Sequence, residues 1–199
     1  RKIGGNSDKI EVVCDPVLTL NSKDNKVKQK HLLAVALRPW PGLQVQAVAA
    51  VLDELAAGGQ IIKLLPFHEP QDRQLAEQVA SLMRSRPQIM AENLTAAEVI
   101  AEISACEALI GMRLHSLIMA AAAGTPFGGI SYDPKIDSFC RQTNCPLLCQ
   151  VSGFNRDCIE SIWHFLRNKE KYQSQLIENR IAWQTLSAET AQKIINSVK

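Results

Sequence analysis

The sequence predicts an α/β fold, a doubly wound parallel sheet with helices on both faces. Short apolar runs alternate with longer amphipathic stretches along nearly the whole chain. The connections between them are short, and a strand–helix–strand order forces parallel pairing through crossovers. The strongest run, His31 to Leu37, is apolar almost throughout, as a strand covered on both faces must be.

The elements follow in order. Residues 1–9 are polar and contain glycine, and Ile10 to Cys14 reads as a short strand ending at Asp15-Pro16. Asn21 to Lys30 is a charged loop. The His31–Leu37 strand stops at Arg38-Pro39-Trp40-Pro41-Gly42, because two prolines cannot continue a ladder. A helix over Leu43 to Ala57 closes at Gly58-Gly59. Ile61 to Pro66 is a strand, Asp72 caps a helix to about Met83, and Arg86 to Met90 is a weaker strand. Thr95 opens the next helix with Glu98 in capping-box position. Ala108 to Gly111 is a strand and Arg113 to Ala123 a helix ended by Gly124. Phe127 to Tyr132 is a strand, Asp133-Pro134 turns the chain into a helix around Ile136 to Gln142, and Leu147 to Val151 is a last strand. Helices over Asp157 to Arg167 and Glu170 to Val198 finish the chain. The last carries an apolar stripe (Leu176, Ile177, Trp183, Leu186, Ile194, Ile195, Val198) that either packs on the core or faces a neighbouring domain.

Composition narrows the function. The 199 residues are 46% hydrophobic and 21% charged, ordinary values for a globular domain with a full core. A net charge of +2 from scattered lysines and arginines argues against a nucleic-acid partner, which needs a clustered basic face. No apolar run reaches the ~18 residues of a membrane span. The six cysteines (Cys14, Cys106, Cys140, Cys145, Cys149, Cys158) form no CxxC pair, so they are expected as packed, reduced thiols rather than metal ligands. The first residue is Arg1 rather than Met, so the chain is expected to begin inside a longer protein.

In open parallel sheets ligands bind beyond the carboxyl ends of the strands. That rule collects Arg38, then His68 and Glu69, then Arg113 and His115, then Tyr132, Asp133 and Lys135 on one rim. Arg113-Leu114-His115-Ser116 is the sharpest segment. A helix N-terminus carries unpaired N–H groups and partial positive charge, and cations placed there reverse the usual preference. A bound carboxylate or phosphate resolves the mismatch, with Ser116 as an added donor. Arg38 reads either as a second cation or as a surface ion pair. His68 with Glu69 reads as a proton-transfer pair or as two solvated side chains. Lys135 could neutralise a phosphate, and Trp40 could stack on a sugar or simply pack its loop. Gly58-Gly59 and Gly128-Gly129 form neither GxGxxG nor a P-loop.

The run from Ala108 through Gly111-Met-Arg-Leu-His-Ser116 to Gly124-Thr-Pro-Phe-Gly-Gly-Ile-Ser-Tyr-Asp-Pro-Lys135 resembles the signature of the polysaccharide pyruvyl transferase family, CsaB type. The likeness is looser, but in order, from Asp15-Pro16 to Val151, through the Ala-Leu-Arg38 strand end and the Pro66-Phe67-His68 loop. The resemblance implies a Rossmann-like domain like the C-terminal half of a two-domain GT-B fold. It divides the chain into a linker and edge segment (1–30), a donor-binding domain (31–168) and a long helix (169–199) crossing to an N-terminal domain outside this sequence. The implied reaction moves an enolpyruvyl group from phosphoenolpyruvate to two hydroxyls of a sugar of a cell-surface polysaccharide precursor, with no further cofactor and no metal. Arg113, Leu114 and His115 would then hold phosphoenolpyruvate, with Arg38 as second cation and with Ser116 and Lys135 assisting. His115 and His68 would handle protons, since imidazole titrates near neutral pH. The acceptor would be a saccharide or lipid-linked saccharide, met in the cytoplasm or at the inner membrane face. Two other readings share the residues: a GT-B glycosyltransferase with a nucleotide-sugar donor, and a non-catalytic α/β binding domain.

Overall fold

The computed structural model describes residues 15–20 and 26–197. The strand expected at Ile10–Cys14 lies outside them. A turn of 3-10 helix at Pro16–Thr19, capped by the Asp15 carboxylate, precedes the sheet and was not expected from the sequence.

Six parallel strands follow: β1 (Leu32–Ala36), β2 (Ile61–Leu64), β3 (Gln88–Ile89), β4 (Ala108–Gly111), β5 (Phe127–Ser131) and β6 (Leu147–Gln150). Between and after them run α1 (Val45–Ala57), α2 (Gln71–Leu82), α3 (Ala96–Ser104), α4 (Leu114–Ala123), α5 (Pro134–Thr143), α6 (Ile159–Arg167) and α7 (Lys169–Ser197). The spatial order is β3-β2-β1-β4-β5-β6. The chain therefore winds outward from β1 in one direction, crosses back, and winds outward from β4 in the other.

Alternate residues of β1 serve opposite faces, as strand geometry requires. Leu33 and Val35 join α1, α2 and α6 in one core, with Val48, Leu52, Leu75 and Phe165. Leu32, Ala34 and Ala36 join α3, α4, α5 and α7 in the other, with Ile103, Leu117, Phe139 and Leu176. All five β1 residues are buried, so the apolar run was a doubly covered central strand.

Local signals set the boundaries. Thr95 and Glu98 form the expected capping box at α3. Gly124 ends α4 in the left-handed region, at φ 66°, where a side chain would be strained. Gly111 has a different task. A Cβ there would stand 2.5 Å from Ser116 Oγ and 2.7 Å from Leu117 Cδ2. Its missing side chain lets the first turn of α4 sit directly on the end of β4.

Helix α7 lies across the α4–α5 face. Leu176 and Trp183 are buried, Leu186 is half-buried, and Ile177 and Ile181 are exposed. Gln173 and Asn179 donate to the carbonyls of Gly124 and Thr143. Ile194, Ile195 and Val198 of the predicted stripe lie outside the described side chains. Among the described residues no helix is long and apolar enough to cross a membrane. Cys106, Cys140, Cys145 and Cys158 are buried free thiols, and burial pushes those of Cys140 and Cys145 up to about 12 and about 11.

Candidate functional site

The sheet order picks one crevice. Where winding reverses, the loops leaving β1 and β4 turn to opposite faces, and a gap opens beyond the strand ends. Ala36 and Gly111 pair there in register. Arg38 and Arg113 each stand two residues further on, so two guanidinium groups flank the switch point. His68 follows β2 and Lys135 follows β5 on the same edge.

Among the described residues Arg38 is held without a carboxylate. Its Nη1 donates to the Tyr132 hydroxyl at 2.6 Å. The guanidinium carbon lies 4.8 Å from the Trp40 ring centre and 4.6 Å from that of Tyr132. The two rings are 4.4 Å apart at 49°. Cation–π attraction and one hydrogen bond to a neutral acceptor thus orient the group while leaving its charge in place. The buried Nε has no hydrogen-bond partner among the described residues.

Arg113 is held in the opposite way. Its Nε donates to Asp72 Oδ2 at 2.9 Å and its Nη2 to Oδ1 at 2.5 Å, a bidentate fork. The Asp72 side chain is fully buried. Oδ2 also accepts from the backbone amides of Phe67 and His68, at 3.2 and 3.1 Å. Those extra bonds satisfy the carboxylate, as a buried ion pair requires. The pair ties the loop after β2 to the start of α4.

This changes the expected roles. Arg113 was read as a donor-binding fork, yet one edge of its guanidinium is committed to Asp72, leaving Nη1 as the open end. Asp72 was read as the cap of α2. It is instead the second residue of that helix, and its carboxylate turns back to the loop amides and Arg113. Ser116, expected as a rim donor, is fully buried, and its hydroxyl donates to the Arg113 carbonyl at 2.6 Å. It braces the turn from below.

Leu114 is half-buried and opens α4, which has no side-chain cap, so the first-turn amides keep their donor character. His115 is exposed, and among the described residues its ring makes no hydrogen bond. His68 is exposed, with Nδ1 2.7 Å from Gln71 Oε1. With that oxygen as acceptor Nδ1 carries the hydrogen, and the Nε2 lone pair of the neutral ring is open. Glu69 does not pair with His68. Its carboxylate accepts from Arg73 Nε at 2.9 Å, one turn along, because an i,i+4 partner of opposite charge outcompetes a sequence neighbour pointing elsewhere. Lys135 is half exposed and only loosely paired, 3.6 Å from Asp133.

The residues missed by sequence reasoning are thus Asp72 as anchor and Trp40 with Tyr132 as the Arg38 clamp. Their partners lie 41 and 94 residues away for Asp72 and Tyr132, a separation no local pattern reports.

A model of the polysaccharide pyruvyl transferase family matches residues 2–134, a stretch that includes Arg38, Asp72, Arg113 and Tyr132. The chain belongs to the polysaccharide pyruvyl transferase family. Among curated proteins none matches it. Several solved structures share its fold. The pneumococcal O-GlcNAc transferase GtfA, solved with UDP and GlcNAc, aligns with TM-score 0.63 at 14% identity, over 90% of this chain and 38% of its own. The UDP-GlcNAc 2-epimerase from Neisseria meningitidis gives 0.58 at 15%, over 88% and 45%. A family 9 glycosyl transferase from Veillonella parvula gives 0.54 at 13%, over 79% and 53%. The chain therefore spans about half, or less, of the length of each structure it resembles, and the likeness is one of fold.

Proposed function

We propose that this chain forms the donor-binding half of an enzyme that transfers the enolpyruvyl group of phosphoenolpyruvate to two hydroxyls of a saccharide, giving a pyruvate ketal and free phosphate. The observation that carries the reading is the uncompensated Arg38 at the switch point, beside the uncapped start of α4. Phosphoenolpyruvate bears a carboxylate and a phosphate, and a guanidinium fork and a helix N-terminus are the groups that bind such oxygens. Arg38 takes one anionic group. The amides of Leu114 and His115, with the open end of Arg113, take the other, and Lys135 adds charge from the β5 side.

Ketal formation adds a proton to the methylene carbon, forms two C–O bonds to the acceptor and breaks the bond to phosphate. The two protons released by the acceptor hydroxyls end on the new methyl group and on the departing phosphate. His115 delivers the proton to carbon, since it is exposed at the mouth of α4 with its ring uncommitted. His68 Nε2 is the site's second proton carrier. Glu69 is withdrawn from this chemistry by Arg73, and this reading assigns the hydroxyl base to a further domain of the same protein that would face the cleft. The reading carries a cytoplasmic location, where a lipid-linked acceptor would be met at the inner membrane face.

A second reading draws on the structural neighbours solved with UDP or UDP-GlcNAc bound: a nucleotide-sugar diphosphate in the same crevice. Separate titrations with phosphoenolpyruvate and with UDP decide between them. The first reading expects phosphoenolpyruvate to bind and to yield phosphate and a ketal methyl signal with a saccharide acceptor and the full-length enzyme. Binding of UDP alone would overturn it.

A further inference from the structure

Beside the crevice, the loop after β1 and the flank of α2 enclose a groove of about 410 Å³, within the size range of small-ligand pockets. One wall is Pro39, Trp40 and Leu43; the other presents Gln71, Gln74 and Gln78. The three glutamines stand at helical spacing and share one face of α2. We infer that this groove is a subsite for one neutral sugar ring, the acceptor's docking point on this chain. The inference rests on the transferase reading above and adds to it the place and chemistry of acceptor recognition.

The lining decides the ligand class. Among the described residues no charged side chain lines the groove, so it offers an anion no opposite charge. A glutamine amide both donates and accepts hydrogen bonds, which matches the dual character of a sugar hydroxyl. Gln74 and Gln78 are exposed, and among the described residues neither side chain is engaged in a hydrogen bond. Gln71 gives its oxygen to His68 Nδ1 and keeps its NH2 group. Trp40 is 37% exposed and is steadied by Tyr132 and Arg38, so it offers indole surface to the C–H face of a pyranose at little entropic cost.

Position supports the same assignment. Trp40 belongs both to the groove and to the clamp on Arg38. A sugar against it therefore lies next to the anion proposed at Arg38, as group transfer between the two demands. The His68–Gln71 bond places a proton carrier against the same wall. A larger groove of about 730 Å³ on the outer face of α1 lies between Gln46, Asp53 and Arg84 and includes none of the rim residues.

Saturation-transfer NMR of the chain with the methyl glycosides of glucose, galactose, mannose and N-acetylglucosamine tests this. At least one should receive saturation at its ring protons. Replacing both exposed amides, Gln74→Leu with Gln78→Leu, should weaken that glycoside about tenfold, the scale of one or two neutral hydrogen bonds. Phosphoenolpyruvate affinity, measured on the same samples, should not change, and an unaltered thermal melt should show the variant folded. No saturation of any glycoside on the wild-type chain, or equal saturation on the variant, overturns the inference. Phosphoenolpyruvate that fails to bind while the glycoside response is lost in the variant would sink the donor reading and leave the sugar subsite standing.

Discussion

The two arginines flanking the switch point are chemically identical and held in opposite ways. On the β4 side, Arg113 closes on a buried carboxylate that also gathers two backbone amides. On the β1 side, Arg38 lies against two mutually packed aromatic rings, and among the described residues its hydrogen-bond partner is a phenol. A carboxylate fixes a guanidinium and cancels its charge; aromatic faces fix it and leave the charge available. The first arrangement suits a scaffold and the second, on the proposed function, a receptor for an anion. On the function proposed above, Arg113 is mainly a positioning residue and Arg38 is the group that would meet the donor.

The sharpest way to break this contrast is to remove the anchor. Asp72→Ala leaves the Arg113 fork and two amides without an acceptor and should cost about 3 kcal/mol of stability in denaturant unfolding. Removing Arg113 as well should recover part of that loss. A cost near zero for Asp72→Ala would mean the pair is ornamental. A smaller effect is expected on the other side. Tyr132→Phe keeps the aromatic face but deletes the phenol that receives Arg38 Nη1. Without that bond the ligand must order Arg38 on binding, a side-chain cost of about 1 kcal/mol, so phosphoenolpyruvate should bind about fivefold more weakly with a modest change in melting temperature. If affinity is untouched, the rings alone orient Arg38.

The smallest effect comes from a charged cluster away from the crevice. Glu102 on α3 accepts from Lys26 at 2.5 Å and from Lys63 of β2. Burial raises the Glu102 carboxyl, but the two lysine hydrogen bonds outweigh it and hold the group below its ordinary 4.5. A carboxyl held low stabilises the fold above its ordinary pKa and loses that contribution as pH falls through the lowered value. Glu102→Gln should therefore be less stable than wild type at neutral pH by a modest margin that closes below about pH 4.5. Its phosphoenolpyruvate affinity should match wild type. A pH-independent margin would show that packing, not charge, is what Glu102 supplies.

How much of this could be read in the sequence depends on the range of the interaction. The β4 strand, the Thr95–Glu98 box and the Gly124 cap are specified by residues next to one another, and their positions were legible. So was the edge on which Arg38, His68, Arg113, His115 and Lys135 gather, because strand order alone sends them there. The β3 strand is only Gln88–Ile89, shorter than the Arg86–Met90 expectation, since an edge strand of a twisted sheet keeps few ladder bonds. What escaped was the choice of partner. Asp72 looked like a helix cap because aspartate near a helix start usually is one. Only the folded chain brings Arg113 to it. Ser116 looked like a free hydroxyl, and nothing local announced that Gly111 would let α4 drop onto β4 and bury it.

Whether Arg38 offers an unspent positive charge to the donor is decided by calorimetric titration of phosphoenolpyruvate into wild type and Arg38→Ala. The variant should lose about tenfold or more in affinity, the scale of a charge-assisted hydrogen bond, while still folded. Equal affinity in the two proteins would contradict it.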